Sequence, residues 1–401
     1  MRESRQVRFL AGVGVAAVVT TAVTLLASPA QAATGEIRSA DAKEKVSGSY
    51  VVKLKDTPAA LSSTEATANT VAARFGGAVD RVYGSALRGF SVKLSESQAK
   101  RLAADPAVEY VEQDQVFHVE TTQSNPPSWG LDRIDQANPP LDSAYSYTST
   151  GSGVTAYVID TGVRISHQTF GGRAANGRDF VDNDAVAQDG NGHGTHVAGT
   201  IAGSQYGVAK GAKVVAVRVL DNSGSGTLAG VVAGIDWVTA NAVKPAVANL
   251  SLGGGASTAI DDAVRRSIAS GVTYAVAAGN SNANASTFSP ARVTQAITVG
   301  ATERTDARAS YSNFGSVLDL FAPGSGITSS WGTSDTATNT ISGTSMATPH
   351  VAGVAARYLQ THTTATPAQV SSALVAAATP NKVTNPGSGS PNRLLFLAPS
   401  A

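Results

Sequence analysis

The chain has 401 residues, 42% of them hydrophobic and only 15% charged, which excludes a disordered polypeptide and allows one large core with smaller pieces beside it. Its formal net charge of +1 gives no electrostatic basis for nucleic acid or an acidic membrane as partner. It contains no cysteine, which excludes disulfides, thiolate metal sites and a cysteine nucleophile but leaves the compartment open.

At the amino terminus Arg2, Arg5 and Arg8 precede an apolar run over residues 9–27, and Ala30, Gln31 and Ala32 follow. This basic, apolar, small-residue layout predicts a signal peptide over residues 1–32, cut after Ala32, and hence a secreted, extracellular protein. A membrane anchor is the alternative, since the run is nearly long enough to span. Its glycines and threonines and the Ala-Gln-Ala site favour cleavage, after which no membrane-spanning segment remains. The arginines are not adjacent, which points to ordinary secretion rather than the twin-arginine route.

Residues 33–120 read as a small separate domain. A strand is predicted over 49–54, a helix near 63–75, strands near 78–83 and 89–94, a short helix near 97–104, and a last strand over 108–116. The order βαββαβ is that of a ferredoxin-like α+β sandwich. Gln123, Ser124, Asn125, Pro126 and Pro127 then break regular structure and suggest a boundary. Beyond it, apolar, β-branched runs at 154–159, 214–220, 247–252 and 272–277 suit a sheet covered on both faces. Leu228, Val231, Val232, Ile235 and Val238 recur at helical spacing, as do Ile260, Val264 and Ile268 before Gly271. Thr366 and Gln369 form a predicted capping box with Pro367 at the first helical position. The alternation predicts an α/β domain with a mainly parallel sheet, with functional loops at the carboxyl ends of its strands.

Three segments carry chemistry. Asp160 follows a buried strand, His193 opens a small-residue helix, and Ser345 opens another. Serine is a poor nucleophile unless a base takes its proton, and histidine titrates near neutrality. A buried carboxylate fixes the histidine tautomer and stabilises the imidazolium. The helix starting at Ser345 offers a backbone N–H and a positive dipole end to an oxyanion. Pro349 is expected in the first turn of that helix, where its missing N–H costs little. Singly, each residue has a plainer reading. Asp160 before Thr161 and Gly162 fits a turn, and Ser345 fits an N-cap. His193 and His196 fit a metal pair, although the glutamate of a zinc-protease helix is missing. Together, in the order Asp, His, Ser and each at an element end, they match the subtilisin arrangement.

The sequences His193–Thr200 (HGTHVAGT) and Gly343–Gly353 (GTSMATPHVAG), with the segment at Asp160, resemble the signatures of the subtilase family. Residues 129–397 resemble its proteinase K branch, most of all the aqualysin group, and the preceding domain resembles the family's propeptide, which assists folding and then inhibits. The resemblance implies a subtilisin-like α/β domain over residues 121–401, released by self-cleavage near Glu120–Thr121. It implies a broad-specificity serine endopeptidase in which Asp160, His193 and Ser345 form the triad and Asn280 donates to the oxyanion. Ser251, Leu252, Gly253 and Gly254 would form one wall of the primary specificity pocket, and Ala277, Ala278 and Gly279 the other. Their small size suits a large apolar or aromatic side chain. Gly224, Ser225 and Gly226 match the edge segment that pairs with extended substrate.

Structural Ca2+ is implied at three places, with no catalytic cofactor. Asp319 with the carbonyls of Thr294 and Ala296 matches one site, and Asp184 with Asp189 a second. Asp132, Asp135, Gln136 and Asp142 match a third, where Ala144 replaces an expected side-chain oxygen. Aqualysin-like relatives carry cysteines where this chain has Gly190, Asn222, Ser286 and Val317, so their two disulfides are absent. The expected partners are peptide substrates and the chain's own propeptide, around a monomeric enzyme. Two other readings remain. A serine esterase would use the same chemistry, but the Gly-x-Ser-x-Gly elbow is absent around Ser345. A catalytically silent binding protein is opposed by the intact set of four residues.

Overall fold

The computed structural model describes residues 33–41, 45–56, 64–84, 87–115 and 121–398. The predicted signal segment and Glu120 at the predicted cut lie outside the described residues. The chain divides into two compact units at Phe117/His118.

The first unit is one five-stranded sheet in the order Ile37–Arg38, Val108–Gln115, Lys45–Leu54, Gly89–Lys93, Ala78–Tyr83. All neighbours are antiparallel except the first pair. Helices Thr64–Arg74 and Glu96–Ala103 lay Ala68, Val71, Ala99 and Leu102 on Val52, Leu54, Phe90, Val92 and Val111. The predicted βαββαβ sandwich is present. Ile37–Arg38 adds an edge strand too short to leave a periodic pattern.

The second unit is built on a nine-stranded sheet. Its elements in chain order are β1 (Thr155–Asp160), β2 (Ala174–Asp179), α1 (His193–Ala202), β3 (Lys213–Arg218), α2 (Leu228–Asn241), β4 (Ala246–Leu250), α3 (Thr258–Ala269) and β5 (Thr273–Ala277). There follow β6 (Ile297–Thr302), β7 (Leu320–Pro323), α4 (Thr344–Thr361), α5 (Pro367–Ala377), β8 (Thr379–Pro380) and β9 (Arg393–Leu394). The sheet order is β8-β9-β7-β6-β5-β4-β1-β3-β2, parallel throughout except for β8 with β9.

Alternation along the central strands sets two large cores on opposite faces, with a smaller cluster around Phe321 and Leu394 at one edge. Ala156 and Val158 face Val197 and Ile201 of α1 and Met346, Val351 and Ala355 of α4. Tyr157 and Ile159 face Val231 and Ile235 of α2 and Val264 of α3. Both faces are therefore covered, which is why these strands read as continuous apolar runs. From β1 the chain fills one side with β2 and β3, then crosses to the other with β4. Such a reversal opens a crevice at the carboxyl ends of the central strands, and Asp160 stands there as the last residue of β1.

The capping box at α5 is present: Gln369 donates its backbone N–H to Thr366 Oγ1, and the Thr366 N–H donates to Gln369 Oε1. Two expectations shift. The strand expected to reach Leu252 ends at Leu250, because Ser251 leaves the ladder to bond with α4. Pro349 lies at the sixth position of α4, past the first turn. Its missing N–H would have served the carbonyl of Ser345 four residues earlier. That carbonyl accepts instead from the Ser251 hydroxyl at 2.8 Å.

Candidate active site

Asp160 is fully buried, and its Oδ1 accepts from the imidazole Nδ1 of His193 at 2.8 Å and from the Thr161 backbone N–H at 2.7 Å. A carboxylate so held fixes the imidazole with its Nδ1 protonated and its Nε2 free as a base. Burial lowers the His193 pKa, but the charge and hydrogen bond of Asp160, aided by Asp189, more than offset this and raise it above the ordinary histidine value. His196 does not pair with it on a metal. Its Nε2 bonds the Ile327 carbonyl at 2.9 Å inside the core, and burial pushes its pKa down to about 4.

His193 and Ser251 line a cleft of about 650 Å³, whose rim includes Gly224, Ser225 and Gly226. Ser345 lies beside them, bonded twice to Ser251: its Oγ donates to the Ser251 carbonyl at 3.0 Å, and its own carbonyl takes the Ser251 hydroxyl. No hydrogen bond joins Ser345 Oγ to His193 among the described residues. Such bonds are often long before substrate arrives, and rotation about one side-chain bond redirects the hydroxyl.

Asn280 is held by its oxygen. Oδ1 accepts from the Thr344 N–H and the Thr344 hydroxyl, both at 2.8 Å, while that hydroxyl accepts from the Gly279 N–H at 3.1 Å. The amide Nδ2 is thereby turned outward. A β-carbon placed on Gly343 would lie 3.4 Å from Asn280 Nδ2 and 3.6 Å from the Ser345 N. Both nitrogens therefore lie within 3.6 Å of one point beside the serine.

Next to them is a cavity of about 210 Å³ walled by Leu252, Gly253 and Gly254 on one side and Ala277, Ala278 and Gly279 on the other. No charged side chain lines it. Gly254 and Gly255 pair antiparallel with Ser289 and Phe288, which holds the first wall in place.

The metal candidates part company. Asp135 Oδ1 and Gln136 Oε1 are buried without a hydrogen-bond partner. Burial, then the charges of Asp142 and Asp132, push Asp135 up to about 7. Two orphaned oxygens amid three carboxylates fit a hard cation. Asp319, pushed by burial up to about 6, takes the Thr298 N–H on Oδ2 just after Thr294 and Ala296. The pairing of Asp184 with Asp189 is not a cation pocket. Asp184 is exposed and closes a local turn onto the Val186 N–H, while Asp189 accepts five protein donors and has no oxygen left. No group of three or more histidine or acidic side chains is placed to hold a metal among the described residues, so any calcium site must draw on amide and carbonyl oxygens.

Gly190 and Asn222, where cysteines were expected in relatives, lie in contact: a β-carbon on Gly190 would collide with the Asn222 amide. Asn222 Oδ1 accepts from Arg218 at 2.9 Å, and Arg218 also pairs with Asp179 at 2.6 Å and Asp182 at 2.5 Å. Sequence reading did not find this ion cluster, nor the Thr344 and Ser251 contacts, which depend on segments far apart in the chain.

Comparison with known proteins agrees with this geometry. The subtilase family model matches residues 151–394, and the peptidase inhibitor I9 model matches residues 49–120. The chain is 55% identical over 373 residues to an extracellular serine proteinase of Thermus sp. (strain Rt41A), covering 89% of this chain and 91% of that protein. It is 43% identical over 359 residues to proteinase R of Parengyodontium album, covering 88% and 89% respectively. A solved cold-adapted subtilisin-like serine proteinase superposes with a TM-score of 0.66 at 60% identity, covering 67% of this chain and 98% of that one. No helix among the described residues is long and apolar enough to cross a membrane. A doubly covered parallel sheet, a buried carboxylate on an imidazole and a serine in the first turn of a buried helix are thus joined to matching sequence over most of the chain: it belongs to the subtilase family of serine proteinases, with a peptidase inhibitor I9 domain ahead of the proteinase domain.

Proposed function

We propose that the chain is secreted as a precursor, cuts itself near Glu120–Thr121, and acts outside the cell as an endopeptidase of broad specificity. The observation that carries this reading is the fixed Asp160–His193 pair, 2.8 Å apart, at a cleft that shares Leu252, Gly253 and Gly254 with the cavity lined by Ser345 and Asn280. Ser345 Oγ attacks the peptide carbonyl as His193 takes its proton, and Asp160 stabilises the imidazolium. Asn280 Nδ2 and the Ser345 N–H receive the oxyanion. His193 then returns the proton to the leaving amine, and water repeats the sequence on the acyl-enzyme. Gly224, Ser225 and Gly226 pair with an extended substrate, main chain to main chain, so that share of the affinity does not depend on sequence. The uncharged 210 Å³ cavity favours a large apolar or aromatic side chain before the cut. The inhibitor I9 domain inhibits the enzyme after the cut. An amino-terminal signal and a relative named as extracellular support secretion.

A serine-directed phosphonate should inactivate the enzyme, with casein cleaved and short esters not the preferred substrate. Peptides with Phe or Leu before the cut should exceed those with Lys or Glu by roughly 10–100-fold in kcat/KM, the worth of burying an apolar side chain. Equal turnover of all four would overturn the assignment of the pocket.

Calcium is proposed at Asp135, Gln136 and Asp142, with Asp132 holding the loop, and at Asp319 with the carbonyls of Thr294 and Ala296. A bound ion would supply the positive charge that these carboxylates lack. Chelation should lower Tm by about 5–10 °C, as expected for losing a ligand present at about a hundred times its Kd. Asp135→Asn should reproduce part of the loss and blunt the response to chelator. A Tm indifferent to chelator would remove both sites from the account.

A further inference from the structure

Helix α1, which carries His193, begins without a capping side chain, because its N-cap is Gly192. Its first three N–H groups need acceptors from elsewhere. His193 N–H finds Asn191 Oδ1 at 3.2 Å, Gly194 N–H finds Thr161 Oγ1 at 2.9 Å, and Thr195 N–H finds Asp189 Oδ2 at 2.9 Å. Asp189 does more than fill the third place. Its Oδ2 also accepts the Thr195 hydroxyl at 2.5 Å, and its Oδ1 accepts the Asn191 N–H at 2.9 Å, the Gly192 N–H at 2.8 Å and the Thr161 hydroxyl at 2.9 Å. Thr161 is the residue after Asp160 and gives its own N–H to the Asp160 carboxylate. One buried carboxylate therefore grips the residues before and after His193 and the residue that holds Asp160. It is 3% exposed, and Gly332 lies against its Oδ2, with room for a β-carbon only at 3.2 Å.

We propose that Asp189 is a positioning residue for the reaction: it locks the Asn191–Thr195 segment to Thr161, and so fixes the His193 ring relative to the Asp160 carboxylate and the cleft. This rests on the proposed roles of Asp160, His193 and Ser345. A carboxylate suits the task because five donors converge on it, and an amide would turn an NH2 group against some of them. Its charge also reaches the imidazole and adds to that of Asp160 in raising the His193 pKa. Among the described residues His196 of the same helix also couples to the ring by charge, and burial keeps it neutral.

The test is Asp189→Asn, processed in trans by a trace of wild type where needed, with active sites counted by phosphonate labelling. Displacing the base should lower kcat about 10- to 100-fold with KM changed little, since small misplacements of a reacting group cost that much. Removing the negative charge lowers the His193 pKa, so the acid limb of kcat/KM should move to lower pH. Thr195→Val keeps the charge and removes one donor to Asp189, together with the acceptor of the Arg164 N–H; kcat should fall less, with the limb in its wild-type place. If Asp189→Asn per labelled site keeps the wild-type kcat and acid limb and only melts earlier, Asp189 is structural and the proposal fails. If Asp189→Asn does not fold, Thr195→Val decides alone: unchanged kcat per site overturns the proposal, and reduced kcat with an unmoved limb supports it. Failure of the underlying reading looks different, because the wild type itself would not be labelled.

Discussion

Ser345→Ala should leave a folded precursor that cannot cut itself, with kcat on added peptide reduced about a million-fold, the loss known for the nucleophile of subtilisin itself. The residual rate would come from the oxyanion donors and substrate binding, which the substitution leaves in place. The packing around Ser345 predicts little loss of stability. Its carbonyl stays bonded to the Ser251 hydroxyl, and only the bond from its Oγ to the Ser251 carbonyl is lost. Intact mass of the two proteins side by side is the measurement. The wild type should split near Glu120 while the variant stays whole after removal of the signal. If both split alike and the variant also turns over added peptide, Ser345 is not the nucleophile. If neither splits, self-cleavage is withdrawn.

Asn280→Ala should lower kcat by about 100- to 1000-fold, the magnitude known for the oxyanion asparagine of subtilisin, with KM changed little. The side chain reaches the developing charge only through Nδ2, since Thr344 already occupies its Oδ1. The loss therefore falls on the transition state rather than on ground-state binding. One of the two donors remains, the Ser345 N–H, so activity should stay well above that of Ser345→Ala. Initial rates against peptide concentration separate the two constants. A rise in KM at constant kcat would place Asn280 in substrate binding instead.

The parallel core was legible because burial on both faces writes strands such as Thr155–Asp160 and Ala246–Leu250 as unbroken apolar runs. The edge strand Ala174–Asp179 was not, because AANGRD is half polar and carries a glycine that fits beneath Trp237. Strands Ile297–Thr302 and Leu320–Pro323 lie between long loops and left too short a pattern. At the site, the residues proposed to react sit in local motifs and were legible there. Those that hold them were not, for a physical reason. Thr344 grips Asn280 from 64 positions away, and Ser251 grips Ser345 from 94. Asp189 was placed on a cation, with Asp184, through resemblance to a site in relatives. Only folding brings Thr161 against it and uses up its lone pairs.

The contact between Gly190 and Asn222 has a consequence for where the protein can work. A cystine at such a place must be made by an oxidant and can be undone by any thiol. Arg218, Asp179, Asp182 and Asn222 join the same two loops through charge and hydrogen bonds alone. The join forms as the chain folds, needs no oxidant, and is indifferent to thiols. Its vulnerability lies elsewhere, in the loss of Arg218, which would leave the buried Asp179 carboxylate without its cation.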